Sequence, residues 1–76
     1  MYTLTKRIFR DGQHQESTIF RSTFMETIHE NVVKWCEQEN MIILVKSDVH
    51  YCCIEDVESE KISKIGICSI TSNVPL

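Results

Sequence analysis

The 76-residue sequence predicts an α+β domain of two layers, one amphipathic helix packed on an antiparallel sheet, with the element order ββαβββ. Three observations predict it. Apolar residues alternate with period two toward both ends, a period-3.6 apolar stripe occupies the middle, and Asp11-Gly12 supplies a tight-turn dipeptide between the first two apolar runs.

The first strand is read from Tyr2, Leu4 and Ile8 set among Thr3, Thr5 and Arg7. Asp11-Gly12 suits a type I′ turn, because both of its central residues need positive φ. Closing the hairpin there puts Leu4 opposite Ile19, Thr5 opposite Thr18, Arg7 opposite Glu16 and Phe9 opposite His14, so that apolar, hydroxyl and opposite-charge pairs coincide. Thr23-Phe24-Met25-Glu26 fits a capping box, with Thr23 as the cap and Glu26 reaching back, and it opens a helix to about Asn40. At roughly 100° per residue Phe24, Met25, Ile28, Val32, Trp35 and Cys36 share a stripe about 120° wide, with Glu26, Glu30, Lys34, Glu37 and Gln38 outside it. Glu37 and Glu39 lie unfavourably near the negative end of the helix dipole, and Asn40 suits a left-handed stop.

Met41 to Val45 is apolar at every position, the pattern of a central strand covered on both faces. Alternation resumes over Val49 to Val57, with Val49, Tyr51 and Cys53 on one side and His50, Cys52 and Ile54 on the other. Glu58 to Glu60 reads as a polar loop. In the last strand, Ile62 to Ile70, the phase slips around Gly66, which suggests a bulge. Residues 1–70 thus form one domain, and 71–76 are expected to fray as a tail. An exposed final strand would offer an edge for a homodimer.

Composition narrows the function classes. Hydrophobic residues make up 42% and charged residues 25%, with two glycines and one proline, which is a globular balance rather than a disordered one. The longest apolar run, Met41 to Val45, falls far short of the roughly 20 residues that cross a bilayer. The N-terminal residues lack an apolar signal core, so a reducing cytoplasm is the expected compartment and no membrane partner is expected. The net charge of -3 is unevenly spread. Residues 1–21 set Lys6, Arg7, Arg10 and Arg21 against Asp11 and Glu16, whereas residues 22–60 set two lysines against nine carboxylates.

Catalytic and cofactor chemistry finds little footing. Four cysteines invite a metal or redox reading, with His50, Cys52 and Cys68 conceivable on one sheet face. Zinc sites are introduced by C-x2-4-C knuckles, and none occurs; adjacent Cys52 and Cys53 point to opposite faces of a strand. The thiols are therefore read as buried structural groups. His14, His29 and His50 are read as surface or packing residues, and the i,i+2 pair His50 and Cys52, roughly 6–7 Å apart at Cα, makes a poor dyad. Gly12 and Gly66 stand singly in β context, unlike a phosphate-cradling loop. Glu-Asp-x-Glu-x-Glu lacks the glycine and ligand spacing of a calcium loop. No enzyme, cofactor or metal is expected.

Two surfaces remain. Glu55, Asp56, Glu58 and Glu60, joined by the wet helix face with Glu26, Glu30 and Glu37, form an acidic surface suited to a larger protein whose own surface is basic, such as a nucleic-acid-handling complex. In size and element order the chain resembles small phage-encoded inhibitors of host machinery, anti-CRISPR proteins among them, which implies a non-enzymatic protein that acts by occupying a partner's surface. The alternative is a nucleic-acid-binding module that uses the basic hairpin Lys6, Arg7, Arg10 and Arg21, with Phe9 and Phe20 between them.

Overall fold

A computed structural model of the protein describes residues 1–56 and 63–72. Strands β1 (Tyr2–Arg10) and β2 (Gln13–Ser22) precede helix α1 (Met25–Gln38), and β3 (Met41–Lys46), β4 (His50–Glu55) and β5 (Lys64–Ser72) follow it. The five strands form one antiparallel sheet in the order β2-β1-β5-β4-β3, with α1 against one face. The expected two-layer α+β fold is the one observed.

The strand order explains the helix. Because β2 and β3 are the two outer strands, the chain between them must cross the whole sheet. Strand β2 ends beside Tyr2 and Ser72, whereas β3 begins beside Glu55 at the opposite end of the sheet, so the connection runs diagonally over the face. Fourteen helical residues supply about 21 Å of that path, and the apolar stripe of the helix lands on the sheet's centre. Ile28, Val32, Trp35 and Cys36 of α1 are buried against Leu4 and Ile8 of β1, Tyr51 and Cys53 of β4, Cys68 and Ile70 of β5, and Met41.

The hairpin turns where expected: Asp11 and Gly12 hold φ of 52° and 79°. Its register matches expectation only beside the turn. Phe9 faces His14, but the pairing shifts between Ile8 and Phe9, so that Gln15 is extra, Ile8 faces Glu16 and Leu4 faces Phe20 instead of Ile19. The physical reason is burial. One added residue turns Phe20 toward the core and leaves Ile19 59% exposed on the opposite face.

The capping box does not form. Helix α1 begins one residue later, with Phe24 at the cap position and no side-chain cap; the Phe24 N–H instead donates to the Ser22 hydroxyl at 3.1 Å. The helix stops as expected, with Asn40 in the left-handed region at φ 56°.

Four further expectations are corrected. Met41–Lys46 is an edge strand rather than a central one, with a register shift between Ile43 and Val45, and Ile42, Leu44 and Val45 are exposed. The final strand is not an edge but the middle of the sheet, hydrogen-bonded to β1 and β4, so it offers no edge to a second copy. Gly66 marks no bulge, since pairing is regular on both its sides. It is a close approach: an added Cβ would stand 2.9 Å from Trp35 Cη2 and 2.8 Å from Met41 Cε. Lys64, Gly66, Cys68 and Ile70 face inward, and Ile65 and Ile67 face out, which accounts for the apparent phase slip. Strand β5 also continues through Thr71 and Ser72, paired with Thr3 and Tyr2, beyond the expected end of the domain at residue 70. The fraying expected of residues 73–76 and the loop at Glu58 to Glu60 lie outside the described residues.

Candidate functional site: an acidic helix layer beside a groove

The outward side of α1 carries Glu26, Glu30 and Glu37, all exposed. At roughly 100° per residue they fall within about 40° of one another, so they form one stripe. Glu26 sits in the first turn, where the helix dipole favours it. At the other end Asp56 is tied to the helix terminus, its N–H donating to the Asn40 carbonyl at 2.9 Å and its own carbonyl accepting from Asn40 Nδ2 at 3.3 Å. Glu55 is half-buried and accepts from the Ser63 hydroxyl at 3.2 Å. The helix stripe and Glu55 thus lie on the helix side of the sheet and the Asp56 backbone is joined to the helix end, whereas Glu58 and Glu60 lie outside the described residues.

A groove of about 400 Å³ runs between this stripe and the β3–β4 end of the sheet. Val33, His29 and Tyr51 give it an apolar and aromatic floor, and Glu30 and Glu37 alternate with Lys34 and Lys46 on its walls. The Tyr51 and His29 rings lie tilted to one another with centroids 5.5 Å apart, and the Tyr51 hydroxyl contacts His29 Nδ1. Burial raises the Tyr51 phenol above its ordinary value. Sequence reasoning missed the groove. His29 and Tyr51 belong to elements separated by β3, and only the sheet order lays one over the other.

Glu39 is withdrawn from the acidic surface by Lys64. The buried Lys64 ammonium donates to the Glu39 carbonyl at 2.7 Å and pairs with its carboxylate at 2.9 Å, the one ion pair among the described residues. That cation offsets the unfavourable carboxylates at the helix C-terminus.

The basic quartet is not brought together. Lys6 and Arg10 are in phase with Leu4 and Ile8 on the helix side of the sheet, and Arg7 and Arg21 are in the opposite phase. Lys6 is moreover engaged, donating to Asn31 Oδ1 at 2.7 Å with its ammonium 5.9 Å from the Trp35 ring centroid. Phe9 and Phe20 likewise fall on opposite faces.

The cysteines divide as well. Cys52 and His50 lie on the open face and Cys68 on the helix side, so the convergence of these three that a metal or redox site would need does not occur. Among the described residues no group of three or more histidine, cysteine, aspartate or glutamate side chains is placed to hold a metal, and no helix is long and apolar enough to cross a membrane. Cys36 and Cys53 touch, Sγ to Sγ 3.0 Å. That contact and then burial raise the Cys53 thiol, while the same contact lowers Cys36 against its burial. Cys68 is pushed up to about 12, first by burial and then by Cys36. Where the folded state raises a thiol's pKa it binds the proton more tightly than the unfolded chain does. Stability from Cys68 is therefore complete below the unfolded-chain range of about 8.5 and declines as pH climbs toward about 12. Thermal melts should show a midpoint that falls as pH rises above about 8.5, with a shallower fall in Cys68→Ala.

Compared with protein-family models, curated proteins and solved structures, the chain matches none.

Proposed function

We propose that the protein is a non-enzymatic interaction module that occupies a basic surface of a larger protein through its acidic helix layer. The supporting observation is the acidic stripe of the helix: Glu26, Glu30 and Glu37 lie exposed within one face of α1, clear of Arg7 and Arg21 on the far side of the sheet, while Lys6, Arg10, Lys34, Lys46 and Lys64 share the helix side. A partner approaching the helix meets the carboxylate stripe beside a groove lined by His29, Val33 and Tyr51 and by the Glu30, Glu37, Lys34 and Lys46 charges, an arrangement that steers a basic surface by the stripe's charge and holds it by burial. Nucleic-acid-handling proteins present such surfaces. Steric blockade of one is the mode of action implied by the resemblance in size and element order to small phage-encoded inhibitors.

The test is capture from lysate with three baits: the wild type, Glu26→Lys/Glu30→Lys/Glu37→Lys, and Arg7→Glu/Arg21→Glu. The expected result is a set of basic proteins retained by the wild type and the arginine variant, lost from the helix variant, and released by raised salt. Retention of the same proteins by all three baits would remove the helix layer from the function. Loss of them from the arginine variant alone would transfer it to the other face.

A further inference from the structure

The face of the sheet opposite α1 is covered by no element among the described residues, and its side chains run in rows across the strands. One row is Ile42, Ile54, Ile65 and Phe9, from β3 through β4 and β5 to β1; the next is Val45, Cys52, Ile67 and Arg7. Ile42 is 45% exposed, Val45 58%, and Ile65 and Ile67 37% each, well above what a packed sheet face leaves wet. Within the strands no carboxylate lies on this face among the described residues, and its two arginines, Arg7 and Arg21, are confined to the β1–β2 side. The β3–β4–β5 portion is uncharged.

We propose that this portion is the interface for a second copy of the chain, packed sheet to sheet. The uncharged strip is self-complementary, whereas a partner recognised by charge would find only the arginines at one flank. A two-fold axis running along β4 sets Ile67 of each copy against Val45 of the other and Ile65 against Ile42, and it carries Arg7 and Arg21 to opposite outer flanks. The sheets then sit about 10 Å apart with both helices outward, so the acidic layers are separated by much more than the Debye length of about 8–10 Å. Association through the helix layers would instead set like charges together. The sheet edges suit a second copy poorly, because β2 is polar and charged along most of its length and β3 carries its register shift. Three strands of about six residues give a footprint of roughly 300 Å² per copy, roughly 600 Å² in all, below the roughly 1,200 Å² at which standard specific interfaces begin, so the dimer is weak, reversible and dependent on concentration. Cys52, half-buried at the middle of β4, meets its equivalent on the axis.

The experiment is equilibrium sedimentation of the intact chain over a wide concentration range, paired with a short bismaleimide whose two double bonds each add one thiol. The wild type should move reversibly from 8.9 kDa to twice that mass as concentration rises, and the linker should join two chains at Cys52. Ile67→Lys should stay at the single-chain mass with an unchanged circular dichroism spectrum, and Cys52→Ser should still associate without becoming linked. A wild type that remains at 8.9 kDa throughout, or an Ile67→Lys variant that is folded and still associates, would overturn the proposal; a face reserved for a different protein gives the first of these results. Capture by the helix layer is read separately, so either idea can fail without the other.

Discussion

Trp35→Ala is expected to abolish the cooperative thermal transition at physiological temperature. Trp35 is buried on the inward stripe of α1, and its ring lies over Gly66 at the centre of the sheet while also receiving the Lys6 ammonium on one face. Removing a buried tryptophan costs about 3–5 kcal/mol, and a domain of this length holds only roughly 3–5 kcal/mol in all. The sheet cannot collapse into the vacated space, because Gly66 contributes no side chain and β5 is held by strands on both sides. Circular dichroism melting distinguishes the cases: Trp35→Ala should melt broadly from low temperature, and Trp35→Phe, which keeps a ring over Gly66, should retain a sharp transition at a reduced midpoint.

The second large effect differs in size between the two ends of one ion pair. Glu39→Ala leaves the Lys64 ammonium buried with the Glu39 carbonyl as its remaining partner among the described residues. Breaking a buried pair from one side costs about 3–5 kcal/mol; here the loss should fall somewhat below that range, since the Glu39 side chain is 32% exposed and water shares its field. Lys64→Met removes the charge that needs solvating and keeps the length of the side chain. It should stay within about 1 kcal/mol of the wild type, less the small dipole contribution at the helix end. The double variant Glu39→Ala/Lys64→Met should be more stable than Glu39→Ala alone, which urea unfolding measures directly.

Much of this architecture was legible in the sequence because it is local. The Asp11-Gly12 turn, the stripe from Ile28 to Cys36 and the stop at Asn40 all follow from backbone preference and periodicity over a few residues. What escaped depends on long-range order. The extra residue at Gln15 is needed only because the helix covers the Phe20 side of the hairpin, and nothing within residues 13–20 states which side that is. The run Met41 to Val45 looks like a buried strand, yet pairing of the first strand with the last pushes it to the edge. Gly66 resembled a bulge for want of knowing that Trp35 stands over it.

The candidate site divides the same way. Glu26, Glu30 and Glu37 form an outward stripe that helical periodicity alone reveals, whereas the groove floor of His29 and Tyr51, the withdrawal of Glu39 by Lys64 and the splitting of the four basic residues need the sheet order. The alternation along β1 does already separate Lys6 from Arg7. Adjacent residues of a strand cannot share a face.

The division of the molecule into a helix-covered face and an open one underlies both proposed surfaces, and it is tested most directly by thiol labelling of the native protein at high dilution. Cys52 should be modified first, with Cys36, Cys53 and Cys68 reacting only as fast as the chain unfolds. Modification of Cys53 or Cys68 as rapidly as Cys52, or protection of Cys52 equal to theirs at every dilution, would contradict the assignment of the two faces.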